Sequence, residues 1–255
     1  MAVLFGLLGL FIGSFINVVI IRTHSGKSFV TGRSECPKCH KQLTWYELIP
    51  VLSYVLQRGR CRGCGKHVSA QYPLVELVTG WLFASLYVFW GVSSTLTVFS
   101  LIAWLVVTGL LIASAVYDWR WMLLPDAFTL PAIAVSALYV VVLSTYFGQN
   151  VLLARGLGAL VFAGFFAALC GLSGGKWLGD GDIRLALVMG LMLSTPQLIT
   201  AVFFSFNIAA LSSVVLLATK RKTRKDVIPL GPFLILGTFI GLFAGQGLMK
   251  LYLGL

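Results

Sequence analysis

The twenty residues Ala2–Ile21 carry no charged side chain, and apolar runs of similar length recur to the end of the chain. A bilayer core requires about 20 apolar residues of helix. Inside it, every backbone N–H and C=O must be satisfied within the segment. The runs Ala2–Ile21, Pro73–Trp90, Ser94–Tyr117, Ala127–Phe147, Val151–Leu172, Ile183–Leu193, Pro196–Thr219 and Ile228–Leu253 meet or approach that length. The sixth is short, and reads as a half-span or a continuation of the glycine-rich segment before it. The last is interrupted by Pro232 and glycines. The expected fold class is an all-α polytopic membrane protein with about eight transmembrane helices. Only 11% of the residues are charged and the mean hydropathy is +0.94, against about 25% charged in a soluble domain. No basic residue precedes the first run and a basic segment follows it, so it is expected to be retained as a span.

The net charge of +11 invites a nucleic-acid reading, but its distribution points to a membrane. With Met1 outside, Arg22–Tyr72, the Arg120 turn, Ser173–Arg184 and Lys220–Asp226 share one side. Those places hold 17 of the 19 Lys and Arg, leaving Arg155 and Lys250 near the other. This is positive-inside asymmetry, so the basic side is expected to be cytosolic. The run KRKTRK (Lys220–Lys225) reads as an orientation signal touching anionic lipid, and no nucleic-acid partner is expected.

Arg22–Tyr72 is the one long polar stretch. It holds CPKC (Cys36, Cys39) and CRGC (Cys61, Cys64), separated by the 21 residues His40–Arg60. Two Cys-x-x-Cys hooks suit a four-thiolate structural zinc site. Disulfides fit poorly with a reducing cytosol, and a redox pair leaves the second hook unexplained. A metal would also supply the core that so small a module lacks. Gly63 and Gly65 are expected to ease the second turn. Cys170 reads as packing, and His24, His40 and His67 as polar surface. Gly9 and Gly13 read as a helix-packing pair.

The chain has eight carboxylates. Glu35, Glu47 and Asp226 read as solvated charges, and Glu76 as a partner for a basic residue of the polar module. The other four form two clusters at the cytosolic ends of spans: Asp118 and Asp126 in YDWRWMLLPD, and Asp180 and Asp182 in GDGD. An ionisable group at membrane depth costs about 2.5–3.5 kcal/mol on insertion scales, so it needs a partner or a function. For Asp126 and Asp180 helix capping, or pairing with Arg120 or Arg184, is at least as good an account as catalysis. Asp118 differs, because a carboxylate at a helix C-terminus opposes the macrodipole. Asp182 is intermediate: a helix start favours its anion, and its flanking glycines are expected to let another backbone approach closely or the loop adopt φ > 0.

Two carboxylates brought together perform chemistry that neither does alone. Mutual repulsion keeps one protonated while the other acts as a base. The base activates water, and the acid protonates an amide carbonyl. A serine mechanism is not expected, because no histidine lies at membrane depth. HExxH and nucleotide-binding fingerprints are absent.

These residues resemble the bacterial type IV prepilin peptidases, a family of GxGD-type intramembrane aspartic proteases. The resemblance runs through GSFINVVIIR (Gly13–Arg22), CPKC, WYELIPVLSYVLQRGRCRGCG (Trp45–Gly65), YPLVELVTG (Tyr72–Gly80), AVYDWRWMLLPD (Ala115–Asp126) and GDGDIRLALVMG (Gly179–Gly190). It implies that Asp118 and Asp182 form the catalytic dyad. It implies that Cys36, Cys39, Cys61 and Cys64 hold zinc in a cytosolic module, and that the protein spans the bacterial inner membrane. The implied reaction removes the leader of type IV prepilins, or of pseudopilins of type II secretion, after a glycine. Many members then N-methylate the new terminus with S-adenosylmethionine. The implied division is a first span (1–21), a four-cysteine module with the methyltransferase region (22–72) and a peptidase domain (73–255).

The departures are small. Thr23-His24 replaces a common Leu-Pro, Asp180 fills the variable GxGD position, and Arg184 stands where lysine is frequent. Glu47, Asp126 and Asp180 are candidate contacts for a basic leader. The competing classes are a transporter using intramembrane aspartates, for which the hydrophobic segments show no inverted repeat, and a thiol-redox membrane protein.

Overall fold

The computed structural model describes residues 1–28, 30, 32–175, 178–223 and 226–253. Phe29, Thr31, Lys176, Trp177, Gly254 and Leu255 lie outside them, as do Arg224 and Lys225 of the basic run. The described residues contain nine α-helices and a 3-10 turn (Trp45–Leu48). The helices are α1 (Ala2–His24), α2 (Leu52–Leu56), α3 (Gln71–Trp90), α4 (Thr95–Trp121), α5 (Asp126–Phe147), α6 (Gln149–Ser173), α7 (Asp180–Met192), α8 (Thr195–Ala218) and α9 (Gly231–Leu253). Seven of them are long and apolar enough to cross a membrane: all but α2 and α7. The sixth hydrophobic run is the exception. At 13 residues, α7 extends only about 20 Å, the half-span alternative of the sequence.

The chain forms two compact units, Met1–Ala113 and Ser114–Leu255. In the first, α1 packs along α3. A Cβ on Gly9 would stand 2.7 Å from the Cα of Gly80, and one on Gly13 2.7 Å from the Cα of Glu76. The expected small-residue contact is therefore real: only hydrogen at these positions lets the backbones meet. Among the described residues Glu76 has no cation at ion-pair distance, contrary to expectation. Its carboxylate, buried on α3, accepts the N–H of Val51 at 2.7 Å. That contact pins the polar module at a valine held at φ 61°.

Within the module the two cysteine hooks are built alike. Cys36 N–H donates to Lys41 O at 3.0 Å, and His40 N–H to Cys36 O at 2.9 Å. Cys61 N–H donates to Lys66 O at 2.9 Å, and Gly65 N–H to Cys61 O at 2.8 Å. The residue four beyond each leading cysteine is left-handed: His40 at φ 56° and Gly65 at φ 68°. Gly65 thus serves the turn as expected, whereas Gly63 has no positive φ.

Glu47 corrects the sequence reading. It is buried rather than solvated. Thr44 N–H and Oγ1 donate to it at 3.0 and 2.8 Å, and Lys41 Nζ at 3.0 Å. The Thr44 backbone N–H, with Lys41 and the Thr44 hydroxyl, draws its pKa down to about 2.

In the second unit α7 lies among α5, α6 and α9, and α8 packs on α9. Gly237, Gly241 and Gly245 put one small stripe of α9 against Ser205, Ala201 and Gln197 of α8. The far end of α7 is fixed by Arg155 of α6, whose Nη1 donates to Leu191 O at 3.1 Å and Met192 O at 2.7 Å. A helix otherwise leaves its last carbonyls unpaired, and here a half-buried guanidinium takes them.

Candidate active site

Asp118 lies in the last turn of α4, where the chain leaves for the short segment that carries Leu123, Leu124 and Pro125 into α5. Its side chain is buried, and Oδ2 accepts the N–H of Gly231 at 3.0 Å. Asp182 is the third residue of α7, also buried, and its Oδ2 accepts the N–H of Gly179 at 3.1 Å. Gly179 is the N-cap of α7, so Asp182 satisfies a donor that a helix start leaves unpaired. Both aspartates line one cavity of about 400 Å³. Neither has a cation at ion-pair distance among the described residues.

The other two carboxylates are sorted differently. Arg184 Nη1 donates to Asp126 and Nη2 to Asp180 at 2.7 Å. Asp126 and Asp180 are mostly exposed at the rim of the same cavity. Of the alternatives left open for them, pairing with Arg184 is the one observed. Asp126 makes no cap: Pro125 occupies the N-cap of α5, with no side-chain cap bond. One guanidinium joins the starts of α5 and α7 and holds both rim carboxylates, leaving Asp118 and Asp182 unpaired by charge in the interior.

The glycine between the GDGD aspartates has no positive φ, and its close neighbour is a side chain rather than the backbone expected. A Cβ on Gly181 would stand 2.4 Å from the Cβ of Leu124. The segment after Asp118 thus packs directly on the segment bearing Asp182. Sequence reasoning missed Gly231 and the wall formed by Val227, Ile228, Pro229 and Leu230, which also line the cavity. Pro232 had read as an interruption of the last span. It stands instead in the first turn of α9, where proline is well tolerated. The signal that could have found this wall is the pair Pro229 and Pro232 bracketing Gly231.

The stretch GLSGG (Gly171–Gly175) has the G-x-S-x-G spacing of a nucleophile elbow, which requires a strand-to-helix turn. Ser173 instead ends helix α6 and donates to Cys170 O at 3.1 Å. All three histidines, at 24, 40 and 67, belong to the other unit.

In the first unit the Sγ atoms of Cys36, Cys39, Cys61 and Cys64 lie within 4.8 Å of one another. A tetrahedral zinc site with Zn–S of about 2.3 Å has a sulfur–sulfur edge of about 3.8 Å. Cys39 and Cys61 already stand 4.0 Å apart, and Gly63 N–H points at Cys61 Sγ at 3.4 Å. The four thiols fit structural zinc.

Helices long and apolar enough to cross a membrane, with two buried carboxylates lining one cavity, define a class: membrane proteins whose interior can support acid–base chemistry. Residues 7–90 match the Bacterial Peptidase A24 N-terminal domain, and residues 105–214 the Type IV leader peptidase family. All four hook cysteines lie within the first match, and Asp118 and Asp182 within the second.

A prepilin leader peptidase/N-methyltransferase of Bacillus subtilis (strain 168) is 34% identical over 96% of this chain and 95% of its own. One of Myxococcus xanthus is 36% identical over 86% of this chain and 64% of its own length. One of Aeromonas hydrophila is 30% identical over 97% of this chain and 92% of its own. No solved structure matches the chain significantly. The chain belongs to the type IV leader peptidase family.

Proposed function

We propose that this protein is a membrane aspartic endopeptidase that removes the leader of type IV prepilins or pseudopilins through Asp118 and Asp182, and then N-methylates the new terminus. The observation that carries the peptidase reading is the shared cavity. Two buried carboxylates line it, each with one oxygen fixed by a glycine N–H, while the neighbouring acids are occupied by Arg184.

The reaction follows from that arrangement. One carboxylate of the dyad takes a proton from a water molecule while the other, protonated, donates to the oxygen of the scissile carbonyl. Hydroxide oxygen bonds to the carbonyl carbon, giving a tetrahedral intermediate. Its collapse breaks the C–N bond as the leaving amine takes the proton held by the first carboxylate and a hydroxyl of the intermediate returns its proton to the second. Cleavage after a glycine suits this site, because glycine unwinds readily and exposes its amide. The apolar wall Val227–Leu230 offers a surface for the hydrophobic helix of the substrate.

Cys36, Cys39, Cys61 and Cys64 would hold zinc, which when bound supplies the module with a rigid core. S-adenosylmethionine would supply the methyl group. The first 21 residues act as the first span, 22–72 as the module and 73–255 as the peptidase domain. Positive-inside asymmetry supports an outside N-terminus and a cytosolic module in the bacterial inner membrane.

Co-expression with a prepilin-like substrate, followed by mass spectrometry of the product, tests the reading. It requires a product shortened to the residue after a glycine and heavier by one methyl group. A substrate left intact contradicts the peptidase function. A shortened, unmethylated product removes only the second activity.

A further inference from the structure

The start of α9 meets Asp118 at a point that leaves no room for a side chain. Gly231 N–H donates to Asp118 Oδ2 at 3.0 Å. A Cβ on Gly231 would stand 2.6 Å from that same oxygen and 3.4 Å from Leu185 Cδ1. Asp118 is buried and sits in the last turn of its own helix, whose dipole opposes a negative charge there. The first turn of α9 presents the opposite pole, an N-terminus with N–H groups free of intrahelical partners. The bond spans 113 residues of sequence, so it ties the last helix of the chain to the end of α4.

We propose that Gly231 is a positioning residue of the peptidase. Its amide fixes Oδ2 of Asp118 so that Oδ1 faces the water and the scissile amide, and its missing side chain is what allows the amide to approach. This rests on the reading of Asp118 and Asp182 as the dyad. The two aspartates differ in this respect. Gly179 holds Asp182 by the same kind of bond, but a Cβ on Gly179 would lie 3.8 Å from Asp182 Oδ2. The close fit is particular to Gly231. The charged groups sharing the cavity with Asp118 are Asp182, Asp180 and Arg184 of α7 and Asp126 of α5, and the wall Val227–Leu230 adds none.

The test uses the full-length enzyme in proteoliposomes with a prepilin substrate, and two variants that act on Gly231 differently. Gly231→Ala adds the Cβ and keeps the N–H. Glycolic acid at position 231 replaces the amide by an ester, deleting the N–H and adding no side chain. Gly247→Ala, on the same helix where a Cβ meets nothing within 4 Å, controls for helix insertion.

Both variants at 231 are expected to lower kcat about 10- to 100-fold with little change in KM. They should also move the acidic limb of the pH–rate profile by roughly one unit. Gly247→Ala should match the wild type. A wild-type kcat and profile in both variants at 231 overturns the proposal. So does a profile that is scaled down without moving, which marks only a loss of folded enzyme. Asp118→Asn, measured in parallel, separates the two readings. If it is inactive while the variants at 231 behave as wild type, the positioning role fails alone. If it cleaves at the wild-type rate, the dyad fails as well.

Discussion

Leu124 occupies the space that a side chain on Gly181 would need, with its Cβ 2.4 Å from the position a Cβ would take there. This contact seats the segment that follows Asp118 on the helix start that carries Asp182, and so sets the two carboxylates in one cavity. Gly181→Ala is therefore expected to push the segments apart. A displacement of about 1 Å at a reacting group costs on the order of 100-fold in rate, and a loss of that size is expected in cleavage assays of membranes with matched enzyme levels. Leu124→Ala in the same chain removes the atoms that clash beyond Cβ and should restore part of the rate. A Gly181→Ala enzyme of wild-type activity would show that the contact is dispensable.

Arg184 holds Asp126 and Asp180 at the rim. Exposed ion pairs contribute about 0–1 kcal/mol, so Arg184→Met should change the melting temperature little. Its expected effect is on the cavity, with cleavage falling about 3- to 10-fold as α5 and α7 lose their shared guanidinium. Asp180→Asn leaves the Asp126 pair intact and should stay within about threefold of wild type. Complete loss in Asp180→Asn would assign that carboxylate to the chemistry instead.

The hook cysteines set an expectation about metal. The purified protein should contain about one zinc per chain. Removing zinc with a chelator, or Cys61→Ser, should make the region 32–70 sensitive to protease. A metal-free protein with a protease-resistant module would contradict the zinc assignment.

Glu47 supplies a pH dependence with a definite sign. Its folded pKa of about 2 lies below the ordinary value of 4.5. A depressed carboxylate contributes stability that is full above its unfolded pKa and is lost as pH falls toward the folded one. Glu47→Gln should lower the thermal stability of the first unit at pH 7. The gap to wild type should shrink as pH falls from about 4.5 toward 2. A gap that is constant across that range would mean that the charge of Glu47 contributes nothing.

Much of this was legible in the sequence because its signals are local. A span announces itself in twenty consecutive side chains, a cysteine hook in four, and a costly carboxylate by standing at a membrane edge. The glycines flanking Asp182 announced a tight spot, though the neighbour at Gly181 is the Leu124 side chain and not a backbone. Gly231 was missed for the opposite reason, since its partner lies 113 positions away and no charged residue stands within four positions of it. Glu47 was misread because it lies in the long polar stretch Arg22–Tyr72, and only the folded turn shows Thr44 and Lys41 closing over it. The shortness of α7 was readable, but its fixing by Arg155 was not, because that residue belongs to another helix.

The central claim is that Asp118 and Asp182 act as one catalytic unit. The most direct measurement is the cleavage rate of purified enzyme carrying Asp118→Asn, Asp182→Asn or both, each checked for folding by its melting temperature. Residues that work as a unit are grossly non-additive. The expected result is that each single variant loses at least about 1,000-fold and the double variant loses no more. Wild-type cleavage by either single variant, or losses that multiply in the double, would contradict the dyad.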